Sequence, residues 1–467
     1  MSEFQKAHCV SAVILSHRRK IHKFRFDTLY SVIHSPCFAW ILRFAQYDNK
    51  AVSMTKIIRH NKTNRYGKNY QYNKVQQGKN LGLCLNFTQK MLNLSKIHKK
   101  FIIIRLLKTH KGKILYYLSF FNDYAFFTYI SVRSGFAFFF ALCLSLFLMP
   151  KFIIWAQGKG AKQPIYEYAP QTHQSKSDTP TMGGVVFVFA TLVASLLCMR
   201  FDTTLTLVAL LCLVLFCAVG LYDDLKKVLH KDNHSGLSPK IKLLLLAFAS
   251  LACVLPLYVS EAVNSQLFMP FYKYPLFDMG AFIVVFWVLV MISSSNAVNL
   301  TDGLDGLATI PSIFSLATLG VFIYLSGNAL YSEYLLLPKI ADLGEVAIIV
   351  SAFIGALMGF LWYNCFPAQI FMGDSGSLSI GGFLGFLAII SKNEILLLLI
   401  GFVFVFETVS VILQVGGFKI FHKRLFKMAP IHHHFEKMGW VENKIIVRFW
   451  ILAFLSNLLA IATIKLR

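Results

Sequence analysis

From about residue 125 to the C-terminus, long apolar runs alternate with short clusters of polar and charged positions. A helix needs roughly 20 apolar residues to cross the hydrocarbon core of a bilayer. By that length the pattern predicts ten membrane-spanning helices, at 125–149, 182–199, 204–222, 241–259, 280–298, 307–326, 344–363, 378–391, 395–416 and 446–464. The eighth is short and begins among Gly376, Gly381, Gly382 and Gly385. The ninth ends at Gly416 and Gly417, where a bend or break is expected.

Composition agrees with membrane residence: 56% of the 467 residues are hydrophobic. One large soluble core would not require runs that recur along the C-terminal three quarters of the chain. The formal net charge of +24 is unevenly placed. Residues 1–113 hold 23 Lys and Arg against Glu3, Asp27 and Asp48, whereas the rest of the chain holds 23 basic and 19 acidic groups. The nine cysteines are scattered singly, several inside apolar runs (Cys143, Cys212, Cys217, Cys253), with no CxxC spacing. Neither a zinc site nor a disulfide framework is indicated, and they read as small buried hydrophobes.

Residues 1–113 are rich in Lys, Asn and His and have no sustained period. A nucleic-acid arm, a basic membrane-surface segment and a disordered tail are the candidate roles. No apolar core with a small-residue cleavage site follows the first basic cluster, so a secretory signal is not indicated. The expected organisation is a basic N-terminal extension over 1–113, disordered or no part of the native protein, ahead of a ten-helix transmembrane domain over 114–467.

Ten spans place both ends of that domain on one side of the membrane. The loops 150–181, 223–240, 299–306, 364–377 and 417–445 carry 14 Lys and Arg, and the alternate loops carry only Arg200, Lys273, Lys339 and Lys392. The excess of positive charge makes the first set cytoplasmic. Both ends are then external, and the strongly basic segment 1–113 would have to cross the membrane ahead of the first span. That conflict is the reason for setting it apart.

The unusual polar side chains gather in the same five loops, in "HQSKSDTPTMGG" (173–184), "GLYDDLKK" (220–227), "NAVNLTDGLDGLA" (296–308), "FMGDSGSL" (371–378) and "APIHHHFEKMGW" (429–440). Taken singly, Asp223, Asp224, Asp302, Asp305 and Asp374 are as readily solvated loop acids, and Asp302 and Asp305 could cap the helix that follows. Together on one face they would repel unless a cation neutralised them. A hard divalent ion with oxygen ligands does this, and Mg²⁺ characteristically keeps waters and substrate phosphates as its other ligands. On a helix, Asp302 and Asp305 would project from one side, with Gly303 and Gly306 leaving room for a ligand. Asn296 and Asn299 repeat the spacing one turn earlier. Lys176, Lys227 and His432, His433 and His434 could hold phosphate oxygens. Three consecutive histidines do not converge on one ion in regular structure, which favours a phosphate-contacting or structural role for them. Thr181 stands where a loop turns into a helix and could be its cap.

Acids suited to Mg²⁺, basic groups and a membrane interface together suggest phosphoryl chemistry on a lipid phosphate. Walker and kinase Gly-rich loops are absent from the sequence. A transporter is the rival class, since intramembrane acids also mark transport pathways. It predicts acids nearer mid-membrane and repeated halves; no internal repeat is visible, and only Glu407 sits deep in a span.

From about Ile114 to Arg467 the chain resembles the polyprenyl-phosphate N-acetylhexosamine-1-phosphate transferases. "TPTMGG", "DDLKK", "NAVNLTDGLDGLA", "FMGDSGSL" and "PIHHHFE" occur in that family's order and at family-like spacing. "TPTMGG" and "PIHHHFE" favour the members that use UDP-MurNAc-pentapeptide over relatives that use UDP-N-acetylglucosamine. The resemblance implies an all-α integral membrane protein: ten transmembrane helices, external termini and cytoplasmic active-site loops, in the bacterial inner membrane. It implies a homodimer among membrane lipid, with UDP-MurNAc-pentapeptide and undecaprenyl phosphate as substrates and lipid I and UMP as products. No nucleic-acid partner is expected. Asp374 matches the family's Mg²⁺ ligand. Asp223 and Asp224 match its essential acidic pair, Lys227 its associated lysine, and Lys176 and Thr181 its first-loop positions. Asn296, Asn299, Asp302 and Asp305 match nucleotide- and metal-side positions. His433, with His432 and His434, matches the loop near the sugar phosphate. Apolar helix faces near the eighth and ninth spans are expected to form the groove for the prenyl chain.

Overall fold

The structure, a computed structural model, describes residues 126–159, 179–230, 236–272 and 274–465. The reading of residues 1–113 and the position of Lys176 lie outside the described residues. Every predicted span corresponds to a helix. In chain order these are α1 (Ile130–Gly158), α2 (Gly183–Cys198), α3 (Thr204–His230) and α4 (Pro239–Val259), then α5 (Phe282–Thr301) and α6 (Thr309–Ser326). A small antiparallel hairpin, β1 (Gln266–Leu267) with β2 (Phe277–Asp278), joins α4 to α5. After the short α7 (Ala329–Leu335) come α8 (Val346–Asn364), α9 (Gly373–Ile390), the single-turn α10 (Leu397–Ile400) and α11 (Phe402–Phe421). The short α12 (Ile431–Lys437) and the long α13 (Glu442–Ala462) close the chain. The protein is all-α and of multi-pass membrane type: among the described residues, nine helices are long and apolar enough to span.

The second predicted span, α2, has only 16 residues, about 24 Å at 1.5 Å per residue, short of a hydrocarbon core about 30 Å thick. Its ends are satisfied by protein rather than lipid. At the start, the Gly183 and Gly184 N–H groups donate to the Phe371 and Met372 carbonyls at 3.0 and 2.9 Å. At the end, the Cys198 carbonyl accepts from the Arg133 guanidinium at 3.3 Å. Arg133 is itself buried in a two-pronged pair with Glu345, at 2.6 and 2.7 Å. Polar backbone at membrane depth is tolerated where protein partners supply its hydrogen bonds.

Helix α9 is the centre of the bundle. It packs against α2, α3, α5 and α6, and nearly all of its residues are buried. Its glycines and serines let neighbouring backbones approach closely, as small residues do between membrane helices. The eighth span itself is buried, whereas α11, the ninth, leaves Phe402, Phe406, Ile412 and Leu413 exposed, so apolar faces open to lipid in the expected region lie on α11. The expected break at Gly416 and Gly417 is also displaced, since α11 runs through both to Phe421 and the interruption falls at Gly401. The Ile400 carbonyl there accepts from Ser315 Oγ on α6 at 3.1 Å and Asn457 Nδ2 on α13 at 3.0 Å. Those two polar side chains on other helices make the interruption tolerable in an apolar surrounding.

Candidate active site

The C-terminal ends of α3 and α5 meet the N-terminal ends of α4 and α9, and the site is built where they meet. The last turns of α3 present Asp223, Asp224 and Lys227. Lys227 Nζ lies 2.7 Å from Asp223 Oδ2 one turn earlier and 2.9 Å from Asp374 Oδ2 on α9. Lys242, in the first turn of α4, reaches the same Asp374 oxygen at 2.7 Å and stands 3.6 Å from Asp223 Oδ2. The other Asp374 oxygen accepts from Asn299 Nδ2 at 2.7 Å, and that amide also donates to Ser377 Oγ at 2.8 Å. Asp223 uses its second oxygen to accept the Leu237 N–H at 2.5 Å. Asp223, Lys227 and Lys242 border a cavity of about 470 Å³ that is also lined by Asn296 and the apolar Leu237 and Leu243.

Asp224 sits behind this row and is spent on the backbone. Its two oxygens accept the N–H groups of Asp374 at 3.0 Å and Ser375 at 2.9 Å. It thereby caps the start of α9 from another helix, and this is why α9 begins at Gly373, five residues ahead of the expected boundary. Gly373 has φ +71°, and a Cβ there would stand 2.6 Å from Asp224 Oδ2 and 3.0 Å from Thr181 Oγ1. Thr181 is buried against this turn; the cap position of α2 falls on Met182, with no side-chain cap bond.

The segment after α5 corrects the helical reading of Asp302 and Asp305. Residues 302–308 form turns, not a helix, because Gly303 and Gly306 (φ +71°) interrupt it. The two acids therefore do not share a helix face. Asp305 is buried and accepts the Ala368 N–H at 2.9 Å, so it anchors the loop. Trp450 Nε1 donates to the Gly306 carbonyl at 3.2 Å from α13. Asp302 is half-buried, and burial together with the charges of Asp374, Asp224 and Asp305 pushes its carboxyl up to about 8.

The histidines divide three ways. His432 is buried, with Nδ1 3.1 Å from Glu407 Oε2 on α11. His433 Nδ1 lies 2.6 Å from Glu436 Oε2 within α12. His434 Nδ1 accepts the Lys427 N–H at 3.1 Å and packs edge-on to Phe426. None of the three bonds to the Asp374 cluster. Asn296 lines the cavity while its amide donates to the Ile292 carbonyl at 2.9 Å.

Lys242 is the site residue the sequence reading missed, because it falls inside the span 241–259. A signal was present: a lysine in the first turn of a helix opposes the helix dipole and needs an anionic partner.

Among the described residues no three His, Cys, Asp or Glu side chains form a ready-made metal cluster. The donor chemistry nevertheless fits Mg²⁺. Asp223 and Asp374 are paired with Lys227 and Lys242, whereas the Asp302 carboxyl is raised by burial and by the charges of Asp374, Asp224 and Asp305, an environment that a cation would relieve. Asp374 and Asp302 could hold such an ion, with phosphate oxygens and water completing its shell.

A membrane bundle that gathers lysines, carboxylates and amides at one end of its central helix has the makings of a phosphoryl-group transferase, and the chain matches the model described as glycosyl transferase family 4 over residues 206–392. Residues 176–188 match signature 1 of the phospho-N-acetylmuramoyl-pentapeptide-transferases. The chain belongs to the phospho-N-acetylmuramoyl-pentapeptide-transferase family. It is 74% identical to the Campylobacter jejuni enzyme of that name over 353 residues, covering 76% of this chain and 100% of the relative. It is 69% identical to that of Campylobacter lari over 351 residues (75% and 99%). With that of Nitratiruptor sp. the identity is 56% over 354 residues (76% and 100%).

Proposed function

We propose that the chain transfers phospho-MurNAc-pentapeptide from UDP-MurNAc-pentapeptide to undecaprenyl phosphate, giving lipid I and UMP, the step that starts the lipid-linked stage of peptidoglycan synthesis. The observation that carries the reading is Asp374, at the start of the central helix, bracketed by Lys227, Lys242 and Asn299. That group can receive a diphosphate: two ammonium groups and an amide donor converge on one point beside a partly apolar cavity.

In the proposed reaction an oxygen of the lipid phosphate attacks the sugar-linked phosphorus. The new P–O bond forms as the bond to UMP breaks, and its electron pair leaves on the UMP phosphate. Lys227 and Lys242 offset the charge that builds on the phosphoryl oxygens. Asp223 is a positioning group more than a base. Both of its oxygens are engaged, one by Leu237 and one by Lys227, and a phosphate monoester is already largely dianionic near neutral pH. Mg²⁺ held by Asp374 and Asp302 would supply Lewis-acid neutralisation of the pyrophosphate. The bias of loop charge supports an active site on the cytoplasmic side, and the bacterial inner membrane and the homodimer are carried over from the family resemblance as part of the same reading.

Purified protein, Mg²⁺ and undecaprenyl phosphate, assayed for UMP release with UDP-MurNAc-pentapeptide and separately with UDP-N-acetylglucosamine, test this directly. Release with the first alone is expected. Release only with the second would reassign the substrate, and release with neither would defeat the transferase reading. Inversion at phosphorus is expected for direct displacement; retention would require a phosphorylated Asp.

A further inference from the structure

Glu407 lies within α11, surrounded by apolar positions, and is fully buried. Neither of its oxygens has a hydrogen bond. An isolated buried carboxylate is costly, so what it faces matters. It faces His432, whose ring is 1% exposed and whose Nδ1 stands 3.1 Å from Glu407 Oε2. Neither His432 nitrogen is hydrogen-bonded either, so the contact is one of proximity and packing: the carboxylate stands against the Nδ1 edge of the ring, and Nε2 lies on the other side. There Nε2 meets Gly303: a Cβ at that position would collide with it. Gly303 is the neighbour of Asp302, in the loop whose far side is held by Ala368 and Trp450. Three distant parts of the chain thus stand in a row, from Glu407 through His432 to the loop that carries Asp302.

We propose that Glu407 is a positioning residue for the transferase. Through the His432 ring it sets the height of the Gly303 segment, and so the place of the Asp302 carboxylate relative to Asp374. This rests on the transferase reading of the site. It also gives His432 a buttressing role in place of direct contact with substrate, and it accounts for a deep acid that nothing else in the site uses.

The test uses the full chain in lipid nanodiscs, with UMP release measured while UDP-MurNAc-pentapeptide and undecaprenyl phosphate are varied in turn. Glu407→Gln is expected to lower kcat at least tenfold while the KM for undecaprenyl phosphate stays within twofold. The double variant Glu407→Gln/His432→Ala is expected to lose no more than His432→Ala alone, because the carboxylate acts through the ring. Gly303→Ala is expected to lower the melting temperature in the wild-type background but not in the His432→Ala background, where the colliding ring is gone. This melting comparison stands even if Glu407→Gln fails to fold. Wild-type kinetics in Glu407→Gln, multiplicative losses in the double variant, or a Gly303→Ala penalty that persists without the ring would each overturn the proposal. A wild-type protein that releases no UMP would instead defeat the transferase reading, and the melting comparison would still report the coupling.

Discussion

Asp224 caps the helix that carries Asp374: its two carboxylate oxygens accept the Asp374 and Ser375 N–H groups at 3.0 and 2.9 Å. Two adjacent acids on α3 therefore do different work. Asp223 joins the lysines at the cavity, and Asp224 fixes the backbone from which Asp374 projects. Asp224→Ala should destabilise the fold by about 1–2 kcal/mol, the usual cost of a lost helix cap. Asp224→Asn, which keeps one acceptor, should fall between it and wild type. Thermal melts in detergent measure this order; an Asp223→Ala protein that melts lower than Asp224→Ala would reverse the assignment.

Gly373 is required twice over, by its φ of +71° and by the closeness of Asp224 and Thr181. Gly373→Ala should therefore abolish activity and lower the melting temperature by several degrees. Gly416→Ala provides the contrast, because a Cβ there meets nothing within 4 Å, and its melting temperature should match wild type.

Lys242 and Lys227 share one Asp374 oxygen. Removing either leaves Asp374 and the incoming phosphates under-neutralised. Lys242→Met should lower kcat/KM at least a hundredfold, about 2.7 kcal/mol of barrier. Lys240→Met, two residues away and exposed, should stay within about twofold. UMP-release kinetics of the two variants decide the matter.

The Asp302 carboxyl, raised to about 8, has a consequence for stability with a definite sign. Between about pH 4 and 8 the folded protein keeps a proton there that the unfolded chain has lost, so stability declines as pH rises through that window. In EDTA, Asp302→Asn should be close to wild type near pH 4 and progressively more stable toward pH 8. Melts across pH test this, and a constant difference would contradict it.

The nine described helices long enough to span were legible in the sequence, because length and hydropathy decide whether a segment can cross a bilayer; α2 was legible as an apolar run but is shorter than a span. Their ends were less so. The early start of α9 depends on Asp224, 150 positions away in the chain, and the interruption at Gly401 depends on Ser315 and Asn457 from other helices. Local pattern carries no trace of such partners. The site shows the same division. Asp223, Lys227, Asn299 and Asp374 converge as expected, whereas Asp305 anchors a loop and His432 faces Glu407, roles that only the packing reveals. Lys242 was hidden by its place inside an apolar window.

The central claim is that Asp374 is the apex of a cation-assisted diphosphate site. Its most direct test is UMP release by wild type and Asp374→Asn as Mg²⁺ is removed with EDTA and restored. The wild type should fall silent and recover with Mg²⁺, while Asp374→Asn, folded by its melting profile, should release no UMP at any Mg²⁺ concentration. A folded Asp374→Asn protein turning over at the wild-type rate in saturating Mg²⁺ would contradict the account.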